Sequence, residues 1–258
     1  MPSMHATQAI RERTRLLHRA LRYRFKLDPD EIRHTLRLIS PGACAIDLGA
    51  HKGGYTFWMA RAVGASGRVM AVEAQPALAE RLRTMFDRSP RVEVLWAAAA
   101  DRDGDVELSV RGDGSSHGAS IGGFSDEPDA PTRAVPCVTL ATLAARAGQR
   151  IDFVKCDVEG AEIDVFAAAG ELLGRDRPAV LVECETRHGG GSSEGDSGDR
   201  VRELARVFTG LGYEGRCVFG RQLVPIDDFD ASIHQVYGRK PYGNNFLFVH
   251  PSRPSIGG

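Results

Sequence analysis

An acidic residue closing an apolar strand, followed by spaced glycines, is a place where a chain can hold a small charged ligand. Ile46-Asp47-Leu48-Gly49-Ala50-His51-Lys52-Gly53-Gly54 has this form, with the spacing D-x-G-x-x-x-G. Glycine lets backbone amides approach a ligand closely. The spacing differs from the G-x-G-x-x-G that seats a pyrophosphate at a helix N-terminus. Asp47 suits a cationic ammonium and the glycine turn suits a carboxylate; S-adenosylmethionine carries both groups. Glu73, in Val72-Glu73-Ala74-Gln75-Pro76, ends the next strand-like run. An acid there can accept hydrogen bonds from two ribose hydroxyls. Ala50, His51, Tyr55 and Ala74 complete the expected lining, and Asp101, after Ala97-Ala98-Ala99-Ala100, is expected near the adenine.

A second cluster carries acids of another kind. Lys155-Cys156-Asp157-Val158-Glu159-Gly160-Ala161-Glu162 joins the end of an apolar run to the start of a helical one, and Val182-Glu183-Cys184-Glu185 ends a neighbouring run. Carboxylates favour helix N-termini, so Asp157 can serve as a cap. Glu183, however, lies inside an apolar strand, where an acid is costly unless it is paired or ligating. The available roles are to position an acceptor, to take its proton, or to hold a divalent ion. Oxygen ligands from Asp157 and Glu183 would suit magnesium. His188, just after this strand, and His51 are the histidines best placed as a base, with His188 on the acceptor side.

These residues need strand ends to carry them. Ala43 to Leu48, Arg68 to Ala74, Val92 to Ala98, Ile151 to Cys156 and Ala179 to Cys184 read as core strands, with Val106 to Val110 and Phe246 to His250 as further short ones. Between them Tyr55 to Val63, the stretch after Pro76, Ala161 to Ala169 and Val201 to Leu211 have helical periodicity. The alternation predicts an α/β fold with a mostly parallel sheet covered on both faces, its ligand beyond the carboxyl ends of the strands. Two polar, glycine-rich segments, 111–132 and 189–198, are placed to overhang that edge as lids or as plain surface loops.

At 258 residues, 42% of them hydrophobic, the chain fits one large domain. The expected organisation is a helical extension over residues 1–40 and a catalytic domain over 41–258. With 33 Lys and Arg against 34 Asp and Glu the net charge is −1, so no global field draws the chain to nucleic acid. No apolar run approaches the roughly 20 residues of a membrane span. Five widely spaced cysteines without a CxxC pair read as buried thiols. The N-terminus lacks the order of a secretory signal, which predicts a cytoplasmic protein. Residues 11–26 form a basic amphipathic helix with Ile10, Leu17, Leu21 and Phe25 near helical spacing. It reads as docked by that stripe on the domain or on a partner subunit of a homo-oligomer, with a membrane surface or RNA as the alternative contact.

The sequence resembles the FkbM family of S-adenosylmethionine-dependent methyltransferases. The resemblance rests on IDLGAHKGGYT from Ile46, GRVMAVEAQP from Gly67, FVKCDVEGAEIDV from Phe153, VLVECE from Val180 and NNFLFVHP ending at Pro251. K-x-D-x-E-G-x-E is its most specific element. It implies a Rossmann-like class I methyltransferase fold with a mostly parallel seven-stranded sheet, and methyl transfer to an oxygen of a sugar or secondary metabolite. Asp47, Gly49, Gly53 and Glu73 carry over as cofactor contacts, and Asp157, Glu159, Glu162 and Glu183 as acceptor-side residues. The chain departs from the family pattern at His51, where asparagine is usual, and at Ala141, where aspartate is usual. The alternatives are a nicotinamide-dependent oxidoreductase and a cofactor-binding scaffold without catalysis. Nucleic-acid methylation lacks its N/D-P-P-Y/F signature here.

Overall fold

A computed structural model describes residues 4–110, 119–121, 129, 131–185 and 199–253; the side chains of residues 4–9, 110, 119, 120 and 199 fall outside the description. The chain opens with α1 (Met4–Arg22), a π-helical turn (Tyr23–Leu27) and α2 (Pro29–Leu38). Then β1 (Cys44–Leu48), α3 (Gly54–Ala62), β2 (Arg68–Glu73), α4 (Pro76–Phe86) and β3 (Val92–Trp96) alternate. Next come β4 (Ala98–Ala99), β5 (Gly104–Val110), β6 (Ala119–Ile121), β7 (Thr132–Val138) and α5 (Leu140–Ala147). β8 (Phe153–Cys156), α6 (Glu162–Ala167), α7 (Gly170–Asp176), β9 (Ala179–Glu183) and α8 (Asp199–Thr209) follow. β10 (Glu214–Phe219), β11 (Gln222–Pro225), α9 (Ala231–His234) and β12 (Asn245–Val249) complete the chain.

The main sheet has the order β11-β10-β12-β9-β8-β1-β2-β3. The β9-β8-β1-β2-β3 part is parallel, and β12, β10 and β11 add an antiparallel edge. Successive strands move outward from β1 in one direction and from β8 in the other, so the order reverses between β1 and β8. In open α/β sheets that reversal opens a crevice at the strand carboxyl ends. Here those ends carry Asp47, Glu73, Asp157 and Glu183.

Alternation sets the two faces. Ile46, Leu48, Val154, Cys156, Val180, Val182, Phe246 and Phe248 pack on the α5–α8 side, where Phe208 stacks on Phe248 at 4.1 Å between ring centroids. Ala45, Val69, Phe153, Leu181 and Leu247 pack on the other side against Ile32, Tyr55 and Met59 of α2 and α3. With a side-chain period of two, Asp47, Lys155 and Glu183 fall on this second face, one step beyond Ala45, Phe153 and Leu181. A second, four-stranded sheet, β4-β7-β5-β6, stands beyond the end of β3 and buries Ala98, Val106, Leu108, Val135 and Cys137.

The eight strands of the main sheet exceed the seven expected. Six of the seven strands read from the sequence form it, since Val106–Val110 belongs to β5 of the second sheet, and β10 and β11 add two more, whose Glu214, Arg216 and Gln222 interrupt the apolar run that would mark a core strand. Within 111–132, the described residues 119–121 form β6 rather than loop; the remainder, apart from residues 129, 131 and 132, and all of 189–198 lie outside the described residues. All five cysteines are free and buried. Among the described residues no helix is long and apolar enough to cross a membrane.

The N-terminal helix corrects the expectation in another way. It docks through Leu16, packed with Leu82, Met85 and Phe86, and through Ala20, whose carbonyl accepts a 2.7 Å hydrogen bond from the Trp58 indole. Glu12, also on that seam, pairs with Arg81. Ile10, Leu17, Leu21 and Phe25 instead face outward, at 59%, 48%, 41% and 73% exposure. The stripe with the most regular apolar spacing is thus the solvent face, while a mixed seam with one paired acid is buried. Leu16→Ala should therefore cost about 2–4 kcal/mol by urea unfolding, and Leu17→Ala about 0.5 kcal/mol or less, at neighbouring positions of one helix.

Candidate functional site

A cleft of about 630 Å3 opens at the strand carboxyl ends, bounded on one side by the residues following β1 and β2 and on the other by those following β8 and β9. Asp47 is buried at its floor. Its Oδ2 accepts a 2.5 Å hydrogen bond from the Thr56 hydroxyl, while Oδ1 is buried without a hydrogen-bond partner. A buried carboxylate oxygen left in this state is costly unless a ligand completes it. An ammonium group would do so, and the residue therefore fits a cofactor that carries one.

Glu73 lies across the same end of the cleft. Its two oxygens accept from the backbone N–H groups of His51, at 2.7 Å, and Gln75, at 2.8 Å. Each oxygen keeps a further lone pair, so the carboxylate is fixed in place and still able to accept. His51 adopts φ 49°, a left-handed conformation that turns its N–H onto Glu73. Ala74, Ala97 to Ala99, Leu108 and Ile121 give this end an apolar wall.

Gly49 lines the cleft and also joins its two loops, whereas Gly53 lies behind it. The N–H groups of Gly49 and Ala50 both donate to the Val72 carbonyl. Gly49 has φ +73°, and a Cβ there would stand 1.8 Å from the Asp157 carbonyl oxygen. Only glycine lets the two loops touch, which couples the turn after β1 to the acidic turn after β8. Gly53 begins α3 at φ +78° and leaves room for Leu82, Leu16 and Phe86; it does not line the cleft.

At the opposite end, β1 and β8 pair Asp47 with Lys155. The Lys155 ammonium, 3% exposed on its side chain, lies 2.9 Å from Asp157 Oδ2 and 5.0 Å from the centre of the Tyr55 ring. Glu183 accepts from the Asn244 amide at 2.8 Å. Tyr55 donates its hydroxyl to Asp28 at 3.0 Å, which brings a residue of the N-terminal segment into this wall. Asp28, Glu31, Asn244 and Asn245 line the cleft without having been singled out by their sequence context. The Asn-Asn pair at the start of the last strand and the acid-rich start of α2 were the available signals.

The remaining expected residues divide. Glu159 lines the cleft at φ 52°. Glu162 instead caps the turn behind it, accepting from Gly160 N–H and pairing with Arg200. α6 has no side-chain cap from Asp157. Asp101 is turned to solvent, pairs with Arg102 and stands outside the cleft. His188 lies outside the described residues. Magnesium does not fit the acids expected to hold it: the Lys155 ammonium already occupies the cation position at Asp157, and the Asn244 amide takes a Glu183 oxygen. Among the described residues no group of three or more His, Cys, Asp or Glu side chains could hold a metal ion.

A model of the methyltransferase FkbM domain matches residues 47–214, more than half of the chain. The chain belongs to the FkbM methyltransferase family. Among solved structures, cofactor-bound Rv0187 from MTB matches with a TM-score of 0.50 at 18% identity, over 96% of this chain and 98% of that one. The methyltransferase FkbM from Methylobacillus flagellatus KT gives a TM-score of 0.49 at 13% identity, over 95% of this chain, which spans only 57% of that protein's length. An O-methyltransferase from Bacillus cereus in complex with SAH gives 0.47 at 15% identity, over 96% of this chain and 91% of that one. The match to Rv0187 places this FkbM chain in the Rossmann-like fold.

Burial dominates the electrostatics of the FkbM cleft. It pushes Asp47 up from 3.8 to about 6, against the opposing pull of the Lys155 charge and the Thr56 hydrogen bond. Burial raises Glu73 from 4.5 to about 7, although two backbone N–H groups favour its charged form. Glu31 is likewise raised by burial to about 7. Glu183 is held well above its ordinary value by burial and then by the charge of Asp157. Burial would lower Lys155, but the charges of Asp157, Asp47 and Glu183 outweigh it and hold the ammonium protonated.

Raised carboxyls bind more protons in the folded chain than in the unfolded one. Their contribution to stability is complete below their ordinary values and is lost as pH rises through about 6 for Asp47 and about 7 for Glu73. Relative to the native chain, Asp47→Asn and Glu73→Gln should each gain stability as the pH of a thermal melt is raised from about 5 to about 8. A difference in Tm that stays constant over that range would contradict the shifts.

Proposed function

We propose that the chain methylates a hydroxyl oxygen of a small-molecule acceptor, a sugar or secondary metabolite, with S-adenosylmethionine as donor. The observation that carries the reading is a single cleft joining Glu73, the incomplete Asp47 carboxylate and the Lys155–Asp157–Glu183 group. In this reading Asp47 holds the ammonium of the donor and Glu73 its ribose hydroxyls. Gly49, Ala50, His51 and Ala74 shape that end and the alanine-lined wall takes the adenine, while Tyr55, expected among the cofactor contacts, stands with Lys155 and Asp28 at the acceptor end. Gly53 supports the turn from behind. When bound, S-adenosylmethionine supplies an electrophilic methyl group.

The chain's own work is alignment and proton handling. Asp157, fixed by Lys155, and Glu183, held by the Asn244 amide, orient the acceptor hydroxyl, and one carboxylate of this group takes its proton. Glu159, from the turn beyond β8, and His188 assist. Alignment of a bound acceptor can supply several kcal/mol of the rate enhancement. Residues 1–40 act as an extension of the 41–258 domain that closes the acceptor end through Tyr23, Asp28 and Glu31. Membership in a methyltransferase family removes the support for the nicotinamide alternative.

The test combines calorimetric titration with an acceptor screen. S-adenosylmethionine should bind saturably and NAD should not, with Glu73→Ala weakening the first by at least about tenfold. Methyl-labelled product should resist the mild alkali that cleaves a methyl ester, as an ether does. Asp157→Asn combined with Glu183→Gln should lower turnover by at least about a hundredfold while cofactor affinity changes by less than about threefold. Full turnover in that double variant would reject the assigned roles. Intact cofactor binding without turnover on any hydroxyl acceptor would point to a scaffold.

A further inference from the structure

The exposed large apolar side chains of the described residues fall in only two segments, 10–27 and 233–237. Ile10, Leu17 and Leu21 line one outward face of α1, and Phe25 continues it on the π-helical turn. Exposed cations run along one side of this stripe: Arg11, Arg15, Arg22 and Lys26. The one acid between residues 4 and 27 is Glu12, which is buried in the docking seam and paired with Arg81 and Arg15. The outward face is therefore apolar at its centre and cationic along one margin; its own residues add no exposed acid, and the nearby Asp87 of α4 is paired with Arg13.

An isolated apolar residue at a surface is ordinary, but a contiguous stripe with one sign of charge calls for a complement. A second copy of the chain packed on the same face about a twofold axis would set these arginines against one another. An anionic lipid surface meets both features, with apolar side chains entering the headgroup boundary and cations facing lipid phosphates. The position of the stripe adds a second argument. Arg19, Tyr23, Lys26 and Leu27 of the same helical segment line the cleft, and 233–237 adjoins Lys240, Pro241 and Tyr242, which line it from the other side. The first exposed apolar segment thus reaches the cleft at Leu27, and the second is close in sequence to residues that line it.

We propose that the outer face of α1 and its π-helical turn docks the protein on an anionic lipid bilayer, with the mouth of the cleft at the headgroup layer. The interaction is peripheral and independent of the reaction. The full chain should co-sediment with phosphatidylcholine vesicles that contain phosphatidylglycerol. Binding should be at least about tenfold weaker to pure phosphatidylcholine or at high salt. Leu17→Ser, Leu21→Ser and Phe25→Ser together should reduce binding by at least about tenfold without changing the affinity for S-adenosylmethionine. Should that variant fail to fold, Arg11→Gln with Arg22→Gln should remove the preference for phosphatidylglycerol. Equal partition to both vesicle types, absence of binding to either, or a wild-type dimer that the triple variant dissociates would overturn the proposal.

Discussion

The Lys155 ammonium is almost wholly removed from water, and three carboxyl groups depend on it. An isolated ammonium or carboxylate in such a place would cost several kcal/mol. Pairing Lys155 with Asp157 at 2.9 Å, with Asp47 beside it on the neighbouring strand, lets one cation offset a group of acids. Strand register produces this arrangement. Parallel pairing of β1 with β8 sets Asp47 opposite Lys155, and the period of two carries Asp157 onto the same face as Lys155. A slip of one residue between β1 and β8 would send these groups into opposite faces.

The cation alone does not fix the loops. Gly49 lacks the side chain that would collide with the Asp157 backbone, so the turn after β1 and the turn after β8 rest on each other. Behind the second turn, Arg200 of α8 donates to the Gly160 carbonyl and pairs with Glu162. The left-handed residues Glu159 and Gly160 are thus held between a helix start and an arginine clamp. The two sides of the cleft consequently share a support, and a disturbance of either turn reaches the other.

Much of this was legible in the sequence because the chemistry sits at strand ends, where apolar runs stop abruptly. Asp47, Glu73 and Glu183 could be placed from the runs that precede them, and the α/β alternation gave the parallel half of the sheet. Long-range partners were not legible. Asp28 and Glu31 enter the cleft because α1 and α2 fold back over the sheet, a contact that no local pattern encodes. Asn244 reaches Glu183 only through antiparallel pairing of β12 with β9. Asp101 followed a plausible strand end but turns to solvent and pairs with Arg102. The buried seam of α1 was obscured because Glu12 and Arg81 pair within it, while the more regular apolar stripe faces out.

Asp47 is buried with one carboxylate oxygen lacking a hydrogen-bond partner, a state that a bound ammonium would complete. Carbon-13 NMR titration of its carboxyl group, with and without bound S-adenosylhomocysteine, tests this most directly. The account predicts a midpoint of about 6 in the free protein and a clear fall when the ligand ammonium is bound. An unchanged midpoint in the complex would contradict it.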